Sequence, residues 1–104
     1  MSLIGAKSEV STAVLEKIHA ENLEGIRELA ALLEAPTRPI RDPSRIALAR
    51  DFAHDVLHLF TEGPASGPAD REGLRWRVNL SYETMLILID YLKTYTEGRT
   101  VPAR

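Results

Sequence analysis

The stretch "RWRVNLSYETMLILIDYL", residues 75–92, decides how this chain must be read. It holds no proline or glycine, and its large apolar groups recur at helical spacing, so it predicts a helix. A helix on the surface of a small domain carries one apolar stripe, about 100° wide. This one carries two. At 100° per residue, Leu74, Val78, Ser81, Tyr82, Met85, Leu88, Ile89 and Leu92 gather on one side, the expected core stripe. Trp76, Leu80, Thr84, Ile87, Tyr91 and Tyr95 gather on a second side, at the spacing of a helix-pair seam. Arg75, Asn79, Glu83, Asp90 and Lys93 form the narrow polar strip that remains.

Something has to cover the second side. Either the other helices of the monomer wrap both flanks, or a second chain covers one of them. The chain has 104 residues, enough for one domain and one core. The sequence therefore predicts one helical domain over 1–104, with loose tails at 1–7 and 98–104, that completes its burial by homodimerisation. Trp76, Leu80, Thr84, Ile87, Tyr91 and Tyr95 are the expected interface.

Working back along the chain, two further helices are expected. The first runs roughly from Ser8 to Ala35, capped by Ser8 or Ser11. Its stripe is Leu15, Ile18, Asn22, Ile26, Leu29 and Leu33, with Ala30 beside them. Gly25 marks either a break into two helices, with Asn22 as the second cap, or the close approach of a neighbour. The prolines of "PTRPIRDPS", 36–44, end this helix, and Asp42 followed by Pro43 starts the next. Ile46, Ala49, Phe52, Ala53, Val56, Leu57 and Phe60 make the inner face of that second helix. Leu48 and Leu59 widen the face enough to touch two neighbours. Gly63 is placed to end the helix in the left-handed conformation. "GPASGPA", 63–69, is a loop, and the third helix begins between Ala69 and Gly73. No strand or repeat is expected. The fold class is all-α: an antiparallel bundle of three long helices, four if the first breaks.

Composition narrows the function. The net charge of −2 gives no overall pull toward nucleic acid or membrane, and the net −3 of residues 1–35 reads as a solvated acidic helix face. No apolar run reaches the ~18 residues that span a bilayer. The N-terminus lacks the pattern of a secretory signal. There is no cysteine, which removes disulfides, thiolate metal sites and cysteine nucleophiles and is compatible with a reducing cytoplasm, the expected location.

Three groups carry candidate chemistry. "HDVLH", 54–58, sets His54 and His58 at i and i+4, with Asp51 one turn earlier, so the three share a helix face and could meet one zinc ion. Asp55 stands where a zinc-protease helix has its glutamate base, and no third ligand follows. Glu21, Glu24 and Glu28 make an acidic face on the first helix, short of a complete paired-carboxylate magnesium pattern. Arg38, Arg41 and Arg45 lie around the first joint, and Arg75 and Arg77 flank Trp76; together they are the candidate anion-binding groups. No Gly-rich phosphate loop and no complete catalytic set is present. The expected function is a non-enzymatic interaction protein, a regulator or adaptor acting as a homodimer, with no cofactor. The alternatives are a metal or small-ligand protein using His54, His58 and Asp51, or a weak nucleic-acid binder using the arginines.

Overall fold

The computed structural model describes residues 11–97. They form three helices: α1, Thr12–Glu34; α2, Pro43–Thr61; and α3, Arg71–Tyr95. The expected loose tails, and Ser8 as a cap, lie outside the described residues.

Each helix starts where a short polar side chain can accept from its first turn. Ser11 Oγ accepts from the Val14 amide at 3.2 Å. Asp42 Oδ1 accepts from the Arg45 amide at 3.2 Å, with Pro43 in the first turn, where its missing N–H costs nothing. Asp70 Oδ1 accepts from the Gly73 amide at 2.8 Å. The Ser44 hydroxyl and the Arg45 amide, in that order, hold the Asp42 carboxyl below its usual pKa.

The topology is up-down-up, so α1 and α3 run in the same direction with α2 antiparallel to both. His19 and Asn22 of α1 meet Ser81 of α3, and farther along Gly25 meets Met85. The start of α2 lies at the end of α3, where the Arg45 guanidinium sits 5.9 Å from the Tyr95 ring centre. Its end lies at the start of α3, where Phe60 meets Trp76. All three helices touch one another, and the α1–α3 contact is the most extensive. Ile26, Ala30 and Leu33 of α1, Ile46, Ala49, Ala53, Val56 and Phe60 of α2, and Leu88 of α3 make the core. The α1–α2 joint is pinned to the end of α3. Arg41 N–H donates to the Tyr95 carbonyl at 2.7 Å and Glu97 N–H to the Pro39 carbonyl at 2.8 Å. Ile40 and Thr96 form a lone antiparallel bridge there, and the described residues contain no longer strand.

Several expectations change. α1 is unbroken, and Asn22 is a buried side chain rather than a cap. Gly25 marks a close approach, because a Cβ there would run into Met85 Sδ. Ile18 is exposed, and His19 takes the inward position beside it. Gly63 does not have the left-handed φ expected of it. It sits where any Cβ would come within 3.0 Å of Leu59 Cα, and its amide donates to the His58 carbonyl at 2.7 Å. Glycine is needed there for space, not handedness.

The largest change concerns α3. Its buried residues are Leu74, Ser81, Thr84 and Leu88, a ridge that runs between the two sides distinguished above. Tyr82 and Ile89, expected in the core, stand 52% and 40% exposed. α3 sits in the groove between α1 and α2, so its midline faces inward and each apolar flank leans on one neighbour. Small hydroxyl residues on the midline let the helices close.

Candidate functional site

Three places in this framework could act: a buried polar cluster and two apolar seams.

The polar cluster joins α1 to α3. Asn22 Nδ2 donates to Ser81 Oγ at 3.0 Å and to the Val78 carbonyl at 3.3 Å. Ser81 Oγ donates to the Val78 carbonyl at 3.2 Å, and His19 Nδ1 lies 3.2 Å from the same hydroxyl oxygen. Phe60 packs edge-on to the His19 ring, at 4.6 Å between centres, and Trp76 packs edge-on to Phe60. Burial lowers the His19 pKa and the nearby Arg77 guanidinium lowers it further, against a hydrogen bond to the Arg77 backbone that raises it. The net effect favours the neutral imidazole. A histidine beside a serine suggests nucleophilic chemistry, but Ser81 has no exposed surface and no substrate can reach it. The cluster satisfies itself, since no buried side-chain donor or acceptor lacks a partner among the described residues. Its work is to fix α1 against α3.

The second place is the α2–α3 seam, which contains the expected interface. Thr84 is not on the surface: it is fully buried, and its Oγ1 donates to the Leu80 carbonyl at 2.7 Å. Leu80, Tyr91 and Tyr95 are half-buried against the protein's own core. Trp76 and Ile87 stand outside, 52% and 42% exposed. Ile87 and Tyr91 join Leu48, Ala49 and Phe52 of α2 around an apolar groove of about 300 Å³. By the helical step, Asp55 borders it on α2, and Glu83 and Asp90 border it on α3.

The third place is the α1–α3 seam, of which the sequence reading assigned Ile18, Tyr82 and Ile89 to the core and left Val14, Leu32 and Leu86 unplaced. Val14, Ile18 and Leu32 of α1 and Tyr82, Leu86 and Ile89 of α3 are all exposed. At one end Leu29, Leu32, Ile89 and Leu92 line a cleft of about 180 Å³, with Arg38 and Lys93 on its rim. The outer edge of α1 here carries Lys17, Glu21 and Glu28, and the outer edge of α3 carries Arg75 and Lys93.

The remaining candidates are dispersed. His54 Nε2 lies 2.6 Å from Glu34 Oε2 of α1, His58 pairs with Glu62 at 3.4 Å, and Asp51 with Arg50 at 3.7 Å. Among the described residues no group of three or more His, Asp or Glu side chains is arranged to hold a metal ion. Arg38, Arg41 and Arg45 sit at the end of α3, whereas Arg75 and Arg77 sit near its start, roughly 27 Å away at 1.5 Å per residue. They do not form one patch. No described helix is long and apolar enough to cross a membrane.

Comparison with protein-family models, with curated proteins and with solved structures returns no match.

Proposed function

We propose that this chain is a non-enzymatic interaction protein that acts as a homodimer, with the α1–α3 seam as the shared face. The observation that carries the reading is the row of six exposed large apolar side chains along that seam, bordered on α1 by Glu21 and Glu28 with Lys17, a net acidic edge, and on α3 by Arg75 and Lys93. An apolar patch of ~300–600 Å² on a monomer is often functional. The charges favour a second copy. A two-fold axis parallel to the helices sets α1 of one protomer against α3 of its partner, at the same height along the axis. Each net acidic α1 edge then faces a basic α3 edge, with Lys17 a like-charge neighbour of Arg75. With Gly25 level with Met85, Lys93 stands about 7.5 Å farther along the axis than Glu28, so the pair meets only if the long lysine side chain reaches back.

The same operation on the α2–α3 seam brings Asp55 toward Glu83 and Asp90, acid against acid. That is why the dimer is assigned to the other flank of α3. The energies are moderate. Fully burying a large apolar side chain gains about 1.5–3 kcal/mol, and these are already about half covered. Twelve such halves give roughly 9–18 kcal/mol gross, against about 4–15 kcal/mol lost on association. The micromolar affinity proposed for the dimer needs a net gain of about 8 kcal/mol, which lies in the upper part of this span.

Sedimentation velocity from about 1 to 300 µM tests this. The expected result is a concentration-dependent dimer that Leu32→Glu or Ile89→Glu converts to a monomer with unchanged helix content. A monomer throughout the range, or a dimer indifferent to both substitutions, overturns it.

A further inference from the structure

We infer that the α2–α3 groove is the docking site for a basic amphipathic helix of another protein, a surface separate from the proposed dimer face. The floor is apolar: Leu48 and Phe52 sit one turn apart on α2, facing Ile87 and Tyr91, one turn apart on α3. Paired ridges of this kind accept a helix that presents apolar residues at i, i+3 or i+4, and i+7. Leu80 and Trp76 continue the same flank of α3, so the apolar track from Tyr91 to Trp76 is about 22 Å long, four turns of a partner helix. Leu48 is 53% exposed, so the track is open at its α2 edge.

Charge chooses the occupant. Asp55, Glu83 and Asp90 border the groove on both sides, all three are exposed, and none has an ion pair among the described residues. The cation at the far end, Arg45, already lies over the Tyr95 ring. An apolar track with acidic banks attracts lysine and arginine on the flanks of an incoming helix and repels a second copy of itself.

The test is fluorescence anisotropy with a labelled four-turn helical peptide that carries leucine at i, i+3, i+4 and i+7 and lysine on its flanks. Two control peptides replace the lysines by glutamate or the leucines by serine. The lysine–leucine peptide is expected to saturate in the micromolar range, at least tenfold tighter than either control. Leu48→Asn with Ile87→Asn, and separately Asp55→Asn with Glu83→Gln and Asp90→Asn, are each expected to weaken it at least tenfold. These positions are exposed or at the groove rim, and circular dichroism checks that the fold persists. Equal binding by the glutamate peptide, indifference to both sets of substitutions, or no saturation by about 1 mM overturns the inference. Leu32→Glu separates this site from the dimer face. If it abolishes peptide binding while the groove variants do not, the peptide sits on the α1–α3 seam and this inference fails. If it abolishes the dimer and leaves peptide binding intact, the groove acts alone.

Discussion

Removing the hydroxyl or the amide of the buried α1–α3 cluster is expected to destabilise the protein in a coupled, non-additive way. Asn22 and Ser81 are both buried, and Ser81 Oγ is the atom on which Asn22 and His19 converge. Asn22→Ala deletes two hydrogen bonds, those to Ser81 Oγ and to the Val78 carbonyl. At about 0.5–1.5 kcal/mol each, the loss is roughly 1–3 kcal/mol. The Val78 carbonyl keeps a bond from Ser81, so no full desolvation penalty is added for it. Ser81→Ala is expected to cost as much or more. It strips a partner from the buried His19 imidazole and one of the two partners of the Asn22 amide, which keeps its bond to the Val78 carbonyl, and a buried group left without a partner costs about 1–3 kcal/mol.

The double variant loses the Asn22–Ser81 bond only once. It is expected to fall short of the sum of the single variants by about 1 kcal/mol, within the ~0.5–3 kcal/mol range of coupled neighbours. Against a total stability of ~5–15 kcal/mol each single change is large. Urea unfolding followed by far-ultraviolet circular dichroism, with a shared m-value, gives all three quantities. If the double variant equals the sum of the single variants to within ~0.5 kcal/mol, the two side chains do not share a bond and the cluster has been misread.

Two other perturbations have signs that follow from the structure. The His19 pKa is lowered from 6.5, so the unfolded chain binds a proton that the folded one refuses. The stability this histidine contributes is complete above that value and falls as pH drops below it. The melting temperature of the protein should decline on acidification through this window more steeply than that of His19→Gln, and parallel declines would refute the assignment. Gly25→Ala gains about 1 kcal/mol of helix propensity but crowds Met85, an overpacking worth about 1–3 kcal/mol. It should be neutral to destabilising in the native background and stabilising when Met85 is first cut to alanine. Denaturant midpoints showing the same effect in both backgrounds would mean that α1 and α3 are not close at Gly25.

The helices were legible because their ends are written in local chemistry. Ser11, Asp42 with Pro43, and Asp70 each supply a cap that needs no tertiary contact, and Pro36 and Pro39 forbid continuation. What was not legible was rotation. A wheel ranks residues by hydropathy and so puts Tyr82 and Ile89 inside, whereas the position nearest two neighbouring axes rewards small side chains. Ser81 and Thr84 therefore hold the midline of α3, with their hydroxyls bonded to carbonyls one turn back. His19 was missed for a similar reason, since it counts as polar in any hydropathy pattern. Its position was still marked: it lies three residues before Asn22 and seven before Ile26, in step with a buried stripe. Distance between elements was also out of reach, so Arg38 and Arg77 looked like parts of one basic region when they occupy opposite ends of the bundle.

The two exposed seams share one geometric cause, and their charges then separate them. α3 carries large apolar side chains over most of its circumference, from Trp76 on one flank to Tyr82 on the other. In a three-helix bundle it has two neighbours, both on the same half. Residues near the midline are covered from both directions, while those about 100° to either side touch one helix at their inner edge and water at their outer edge. Ile87 and Ile89 occupy those mirror positions and are exposed almost equally, 42% and 40%. Hydrophobicity therefore does not distinguish the flanks, and burial energy alone would favour covering either. The difference lies in the second row. Beside Ile89 the outer charges are of both signs, split between two helices, which suits a copy turned about a two-fold axis. Beside Ile87 they are acidic on both helices, which penalises a copy and favours a basic partner. One helix can thus serve two distinct associations, and a substitution on one flank should leave the other association intact.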